Sequence, residues 1–98
     1  MKHRSLICCK NVECENLYDC DGHPFDLEYY MVQTRDKEQN CFVYGVEIRK
    51  IVTGLVEETA SEYQIGRTFD RAKKLIDVLA SNTVTPSGFV DIIEDIEF

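Results

Sequence analysis

The stretch that decides the fold is residues 41–53, which read CFVYGVEIRKIVT. In its first half apolar side chains recur at every second position, and this period of two is typical of a β-strand with one buried face. The residues that we expect on that buried face are Phe42, Tyr44, Val46 and Ile48. The phase slips between Lys50 and Ile51, which indicates a β-bulge or the end of the strand.

Two further segments predict strands next to this one. Residues 27–35 (LEYYMVQTR) are rich in aromatic and branched side chains, and the polar segment 36–40 joins them to residues 41–53. This arrangement predicts an antiparallel hairpin. Gly54 marks a turn, after which residues 55–59 (LVEET) predict a third strand. Its charged side chains discourage further pairing, so we place it at an edge of the sheet.

The last third of the chain predicts two helices, at residues 68–81 and 86–96. Thr68 is a good N-cap for the first, and Thr85 followed by Pro86 starts the second. Each helix carries one apolar stripe at helical spacing. The stripes consist of Phe69, Ala72, Leu75, Ile76 and Leu79, and of Phe89, Ile92, Ile93 and Ile96. Strands followed by helices predict an α+β fold, with an antiparallel sheet of three or more strands and both helices packed on one face.

The length of 98 residues fits a single domain spanning residues 1–98. Residues 1–26 are rich in cysteine and show no clear periodicity. We therefore expect an irregular N-terminal segment there, with residues 5–9 as a candidate additional strand.

The charge balance argues against several classes of partner. The chain has 11 Lys+Arg against 18 Asp+Glu, a formal net charge of −7. Nucleic acid and anionic membranes attract cationic surfaces, so we expect neither as a partner. The chain has no apolar run of about 18 residues, and the apolar stretch after the basic N-terminus is shorter than an export signal needs. We expect a cytoplasmic protein.

The cysteines near the N-terminus form a candidate metal site. Cysteine and histidine are the ligands that zinc prefers. The candidate ligands are Cys8, Cys9, Cys14, Cys20 and His23. Their spacing contains no C-x-x-C knuckle, and the alternative interpretation is that Cys8 or Cys9 packs as a small apolar side chain. Apart from this zinc hypothesis we expect no cofactor.

Other groupings of polar residues have simpler interpretations. Residues 19–24 (DCDGHP) contain D-x-D-G, which looks like the nucleophile loop of haloacid-dehalogenase-type phosphatases, but 98 residues cannot hold that scaffold. The same segment nearly fits a calcium loop, except that Leu17 supplies no oxygen at its first position. A solvated turn is favoured instead. The acids of the last helix are interpreted as a solvated face, namely Asp91, Glu94, Asp95 and Glu97.

Three parts of the chain together resemble a small uncharacterised protein family of clostridia-like Gram-positive bacteria. They are Tyr44-Gly45-Val46-Glu47-Ile48, the helix at 71–79, and Val84-Thr85-Pro86 followed by the acidic stretch 91–95. The resemblance covers residues 27–98, and the first 25 residues have no counterpart in it. It implies an α+β fold in a bacterial cytoplasm and no known activity.

These observations predict a non-enzymatic protein-interaction or regulatory module that acts through a protein partner or by self-association. The expected contact sites are the edge strand 55–59, by strand addition, and the outer face of residues 89–96. The alternative is a zinc-binding or thiol redox-sensing protein that uses the N-terminal Cys/His cluster. The sequence neither predicts nor excludes binding of a small-molecule ligand.

Overall fold

The computed structural model describes residues 2–12 and 24–95, without the side chain of the last of these. The described elements are the strands β1 (Lys2–Val12), β2 (Phe25–Asp36), β3 (Cys41–Val52) and β4 (Leu55–Gly66), followed by the helices α1 (Phe69–Ser81) and α2 (Pro86–Asp95). The strands form one antiparallel sheet in the order β1-β2-β3-β4. The sheet packs against both helices, which confirms the predicted α+β fold.

The β2–β3 hairpin supplies the centre of the core. Tyr29 pairs with Ile48 and Met31 pairs with Val46, so these side chains share the face under the helices and are buried there. The alternation predicted for β3 is therefore confirmed from Tyr44 to Ile48. The prediction that Phe42 is buried is wrong, since its side chain is about half exposed. Along β3 the core cluster extends only as far as Tyr44, so Phe42 lies beyond it.

The edge strand β4 is irregular and has 12 residues, more than twice the length predicted. The β3–β4 register shifts between Lys50 and Ile51, as the slip in the sequence indicated. Residues 60–66 were missed because ASEYQIG carries little alternation, and their strand conformation depends on pairing with β3. A second register shift lies at Gly45, where a Cβ would overlap the carbonyl oxygen of Glu62 and the Cα of Tyr63.

The other edge strand, β1, corrects the expectation of an irregular N-terminus for residues 2–12. These residues pair with β2 throughout, with one irregularity between Leu6 and Cys8. The sequence KHRSLICCKNV has no clear period of two because the irregularity between Leu6 and Cys8 shifts the alternation between the two faces. Residues 13–23 lie outside the described residues.

The helices begin where the capping residues predicted. The Thr68 hydroxyl accepts a hydrogen bond from the Arg71 N–H, and the Thr85 hydroxyl accepts one from the Gly88 N–H. The α1 stripe is buried at Ala72, Ile76 and Leu79. Phe69 is the exception, since half of its surface is exposed while its ring meets Tyr44 edge-on at 6.2 Å. The predicted last residue of α2, at position 96, lies outside the described residues.

Two long side chains of the sheet form hydrogen bonds with the end of α1 and the segment that connects it to α2. Lys10 donates to the carbonyl oxygen of Ala80 at 2.7 Å and to the Thr83 hydroxyl at 3.0 Å, so a cation meets the negative end of α1. The Tyr29 hydroxyl donates to the carbonyl oxygen of Val84 at 2.9 Å. Burial raises the pKa of Tyr29 to about 12, so this donor stays protonated.

Candidate functional site

The face of the sheet opposite the helices carries a buried carboxylate, Glu47, on β3. Its exposed fraction is 2%. Arg4 on β1 donates its Nε–H to both carboxylate oxygens, at 3.2 and 3.1 Å. Arg49 donates from Nε at 2.8 Å, and the Tyr63 hydroxyl of β4 donates at 3.2 Å. Three strands therefore contribute donors to one carboxylate.

These donors fix the charge of Glu47. Burial by itself would raise the pKa of this carboxyl, but the hydrogen bonds and charges of Arg4 and Arg49 outweigh it and hold the pKa below its ordinary value. Reciprocally, the bonds to Glu47 raise the pKa of Arg4. The carboxylate is thus ionised and occupied by donors at neutral pH. This arrangement cross-links the sheet and makes Glu47 unsuitable as a proton acceptor.

Two aromatic rings flank this cluster, and a cation lies over each of them. The guanidinium of Arg49 lies 4.7 Å from the centre of the Tyr30 ring, and the ammonium of Lys2 lies 4.0 Å from that of Tyr63. Sequence reasoning missed this cluster. The only signal was a charged residue in an alternating strand, because Arg4 is 43 positions away from Glu47.

The outer edge of β4 forms a second site, next to α2. Within the described residues β4 pairs with β3 alone, so its other side is an open edge. Leu55 is 73% exposed and Val56 is 55% exposed. A shallow groove of about 320 Å³ runs between this edge and α2. It is lined by Glu58, Thr59, Ala60, Pro86, Ser87 and Val90.

The rim of this groove is acidic. Glu57 and Glu58 lie on β4, and the exposed Asp91 lies on α2 beside the groove residue Val90. Lys50, which is 7% exposed, forms a salt bridge with Glu57 at 3.4 Å and balances part of its charge. Among the described residues Glu58 and Asp91 form no salt bridge, so they carry the negative charge of the rim. The site therefore offers unpaired strand backbone, exposed apolar side chains and a negative rim.

The relationship of the chain to known proteins rests on one match. A family model described as "Family of unknown function (DUF6514)" matches residues 6–97. The chain belongs to the DUF6514 family. This confirms the resemblance to an uncharacterised family, and it corrects the N-terminal limit of that resemblance, because the DUF6514 match begins at residue 6, within β1. No curated protein and no solved structure matches the chain.

The cysteines of this DUF6514 protein are only partly placed. Cys8 pairs with Tyr29 on the helix side of the sheet, whereas Cys9 pairs with Glu28 on the opposite side. Neighbouring strand residues point to opposite faces, so β1 does not bring these two sulfurs together. The remaining ligands of the predicted metal site lie outside the described residues, namely Cys14, Cys20 and His23.

The described residues hold no group of three His, Cys, Asp or Glu side chains able to share a metal ion. Burial and the charges of Asp26 and Glu28 raise the pKa of the Cys9 thiol. The zinc or redox role of the DUF6514 cysteines stays a prediction.

Within residues 2–12 and 24–95, no helix combines the length and apolar composition that a membrane crossing requires.

Proposed function

We propose that this DUF6514 protein is a non-enzymatic protein-interaction module that binds an extended basic segment of a partner along the edge of β4. The observation that carries this proposal is the open edge at residues 55–60, with Leu55 and Val56 largely exposed. Exposed edge strands are templates for pairing with another chain. A partner segment gains backbone hydrogen bonds there, and its alternate side chains meet the groove beside α2.

Charge favours a basic occupant over a second copy of the same edge. Glu58 stands on the edge and Asp91 stands beside it on α2, while the charge of Glu57 is partly balanced by Lys50. Two such edges brought together would oppose like charges, whereas lysine or arginine side chains of a partner would be attracted. The acids thus protect the edge from self-pairing and select the partner.

The cluster around Glu47 supports a binding role over a catalytic one. Its carboxylate is held by two guanidinium groups and a phenol, so its ionisation serves to fix β1, β3 and β4 relative to one another. A rigid sheet keeps the edge of β4 extended, which lowers the entropy lost on binding. A bacterial cytoplasmic setting rests on the resemblance alone.

A peptide titration tests this proposal. The probe is a fluorescent peptide of alternating lysine and valine, long enough to pair with residues 55–60, and its control is the analogue with glutamate in place of lysine. We expect saturable binding of the lysine peptide alone. Val56→Lys should weaken its affinity at least about tenfold through charge repulsion at the edge. The matched control is Val78→Lys on the outer face of α1, where the exposed fraction is 57% against 55% at Val56.

Three results would overturn the proposal. The first is no saturable binding of the lysine peptide, or equal binding of the glutamate analogue. The second is equal weakening by Val56→Lys and Val78→Lys, which would indicate a general effect of net charge. The third is a dimer of the unmodified protein by light scattering that Val56→Lys dissociates, because the occupant of the edge would then be a second copy.

A further inference from the structure

The end of the molecule at the β2–β3 turn contains two adjoining cavities of about 680 and 490 Å³. The larger cavity reaches the end of β4 and the start of α1, and the smaller one reaches Lys2 on β1. They share the wall residues Asp36, Val43 and Gln64. Volumes of this size are typical of small-molecule sites.

The walls of these cavities are strongly cationic, in contrast to the chain as a whole. The cationic residues lining them are Lys2, Arg35, Lys37, Arg67 and Arg71, against the two acids Asp36 and Glu38. The Asp36 carboxylate accepts hydrogen bonds from the N–H groups of Glu38 and Gln39, so part of its charge is used within the turn. The net potential in the cavities is therefore positive.

Two arginines at the start of α1 are available to a ligand. Arg67 and Arg71 are four residues apart and line the same cavity. Arg71 lies against Gly66, where a Cβ would come within 2.8 Å of its side chain. In residues 2–12 and 24–95 neither guanidinium has an acidic partner within 4.0 Å, and Arg67 contacts the sulfur of Cys41 at 3.7 Å.

An unpartnered hydroxyl lies in the wall of the smaller cavity. The Thr34 hydroxyl oxygen is buried and has no hydrogen-bond partner among the described residues. Buried polar atoms are nearly always paired, so an orphan in a cavity wall calls for an explanation. Thr34 lines only the smaller cavity and its oxygen has almost no accessible surface, so a ligand would supply the missing partner only by displacing the side chains that cover it.

We propose that these cavities form a binding site for a small anionic ligand that carries phosphate groups. Guanidinium groups bind phosphate oxygens in a bidentate manner, and the N-terminus of α1 beside them adds a partial positive charge. The site goes beyond the proposed partner contact, since it lies at the opposite end of the sheet from the β3–β4 turn. A long polyanion is disfavoured because the net charge of −7 repels it, whereas a small one meets walls with five cations against two acids.

Inorganic pyrophosphate is the probe, titrated at constant ionic strength and followed by calorimetry and by amide chemical shifts. We expect saturable binding with shifts at Thr34, at residues 64–68 and at Arg71. Arg71→Gln should weaken the affinity at least about tenfold. The matched control is Lys74→Gln, which removes the same charge from an exposed position of α1 outside both cavities and should leave the affinity within about twofold.

A second variant separates ligand contact from folding. Thr34→Val removes the orphan hydroxyl, so we expect an unchanged or higher Tm together with weaker pyrophosphate binding. The proposal is wrong if pyrophosphate does not bind, if Lys74→Gln weakens binding as much as Arg71→Gln, or if shifts fall outside the cavity walls. Tighter binding of a single-stranded RNA oligonucleotide than of pyrophosphate would also overturn it in favour of a nucleic-acid site.

Discussion

At the scale of single residues, the buried Glu47 carboxylate determines how β1, β3 and β4 are held together. Glu47→Gln keeps the shape of the side chain but removes the charge that faces Arg4 and Arg49. We expect it to lower the free energy of unfolding by about 2 kcal/mol at neutral pH, because hydrogen bonds to charged groups contribute about that much. Urea denaturation measures the loss. Glu94→Gln on the exposed side of α2 is the control and should have almost no effect.

The pH dependence of the same variant provides an independent check. The pKa of Glu47 is lower in the folded protein than its ordinary value of 4.5. The stability that its charge contributes is therefore present above about pH 4.5 and is lost as the pH falls through the lowered pKa of the folded state. The difference between the unmodified protein and Glu47→Gln should shrink as the pH falls below 4.5. A difference that stays constant from neutral to strongly acidic pH would contradict this assignment.

At the scale of secondary-structure elements, Gly45 sets how closely β4 approaches β3. A Cβ at this position would overlap the backbone at Glu62 and Tyr63, and backbone atoms cannot move aside without breaking the strand pairing. We expect Gly45→Ala to lower the free energy of unfolding by more than about 2 kcal/mol. Hydrogen exchange should locate the loss of protection in residues 60–66.

Gly88 in α2 is the matched control for that substitution. A Cβ there would meet the Thr85 hydroxyl at 3.4 Å and the Val84 side chain at 3.6 Å, which are ordinary contacts. Gly88→Ala should be neutral or stabilise the protein by up to about 1 kcal/mol, since alanine favours the helix. Similar destabilisation by both substitutions would mean that close approach at Gly45 is not the cause.

The elements also show what the sequence could predict. The start of β3 and both helix starts follow from local signals, namely a period of two and the caps Thr68 and Thr85, so they were predicted well. The edge strand β1 and residues 60–66 were not, because their conformation depends on backbone pairing that side-chain patterns do not record. The Glu47 cluster could not be predicted because its partner Arg4 comes from β1, which the sequence did not indicate. The groove at residues 55–60 could not be predicted because it depends on where α2 packs.

At the scale of the whole molecule, charge is distributed unevenly, so the net charge of −7 does not describe every part of the surface. The chain is acidic, yet the cavities at the β2–β3 turn collect cations from β1, β2, α1 and the connections around them. The acids of the β4 groove lie elsewhere on the sheet and on α2. The net charge of −7 averages over two surfaces of opposite sign. Only the fold brings cations distant in sequence to one end.

One core cluster joins the sheet to both helices, so we expect the described structure to unfold as a single cooperative unit. Phe89 of α2 is fully buried in the same cluster as Tyr29, Ile48 and Ile76. Phe89→Ala should cost about 3–5 kcal/mol through lost burial and a cavity, and a domain of this size has only about 5–15 kcal/mol in total. We expect Tm to fall by roughly 15 °C or more, while Val90→Ala on the exposed side leaves it nearly unchanged.

The same experiment reports on cooperativity. Helix content is followed by far-ultraviolet circular dichroism, and the sheet is followed by tyrosine fluorescence, since four of the five tyrosines lie in its strands. Both signals should be lost at one temperature in the unmodified protein and in Phe89→Ala, because neither layer keeps a core without the other. If the helices melted in Phe89→Ala while the tyrosine signal of the sheet persisted to a higher temperature, the sheet would have to be stable alone, with Leu27 and Tyr29 uncovered. That outcome would separate the layers and remove the shared core as the source of stability.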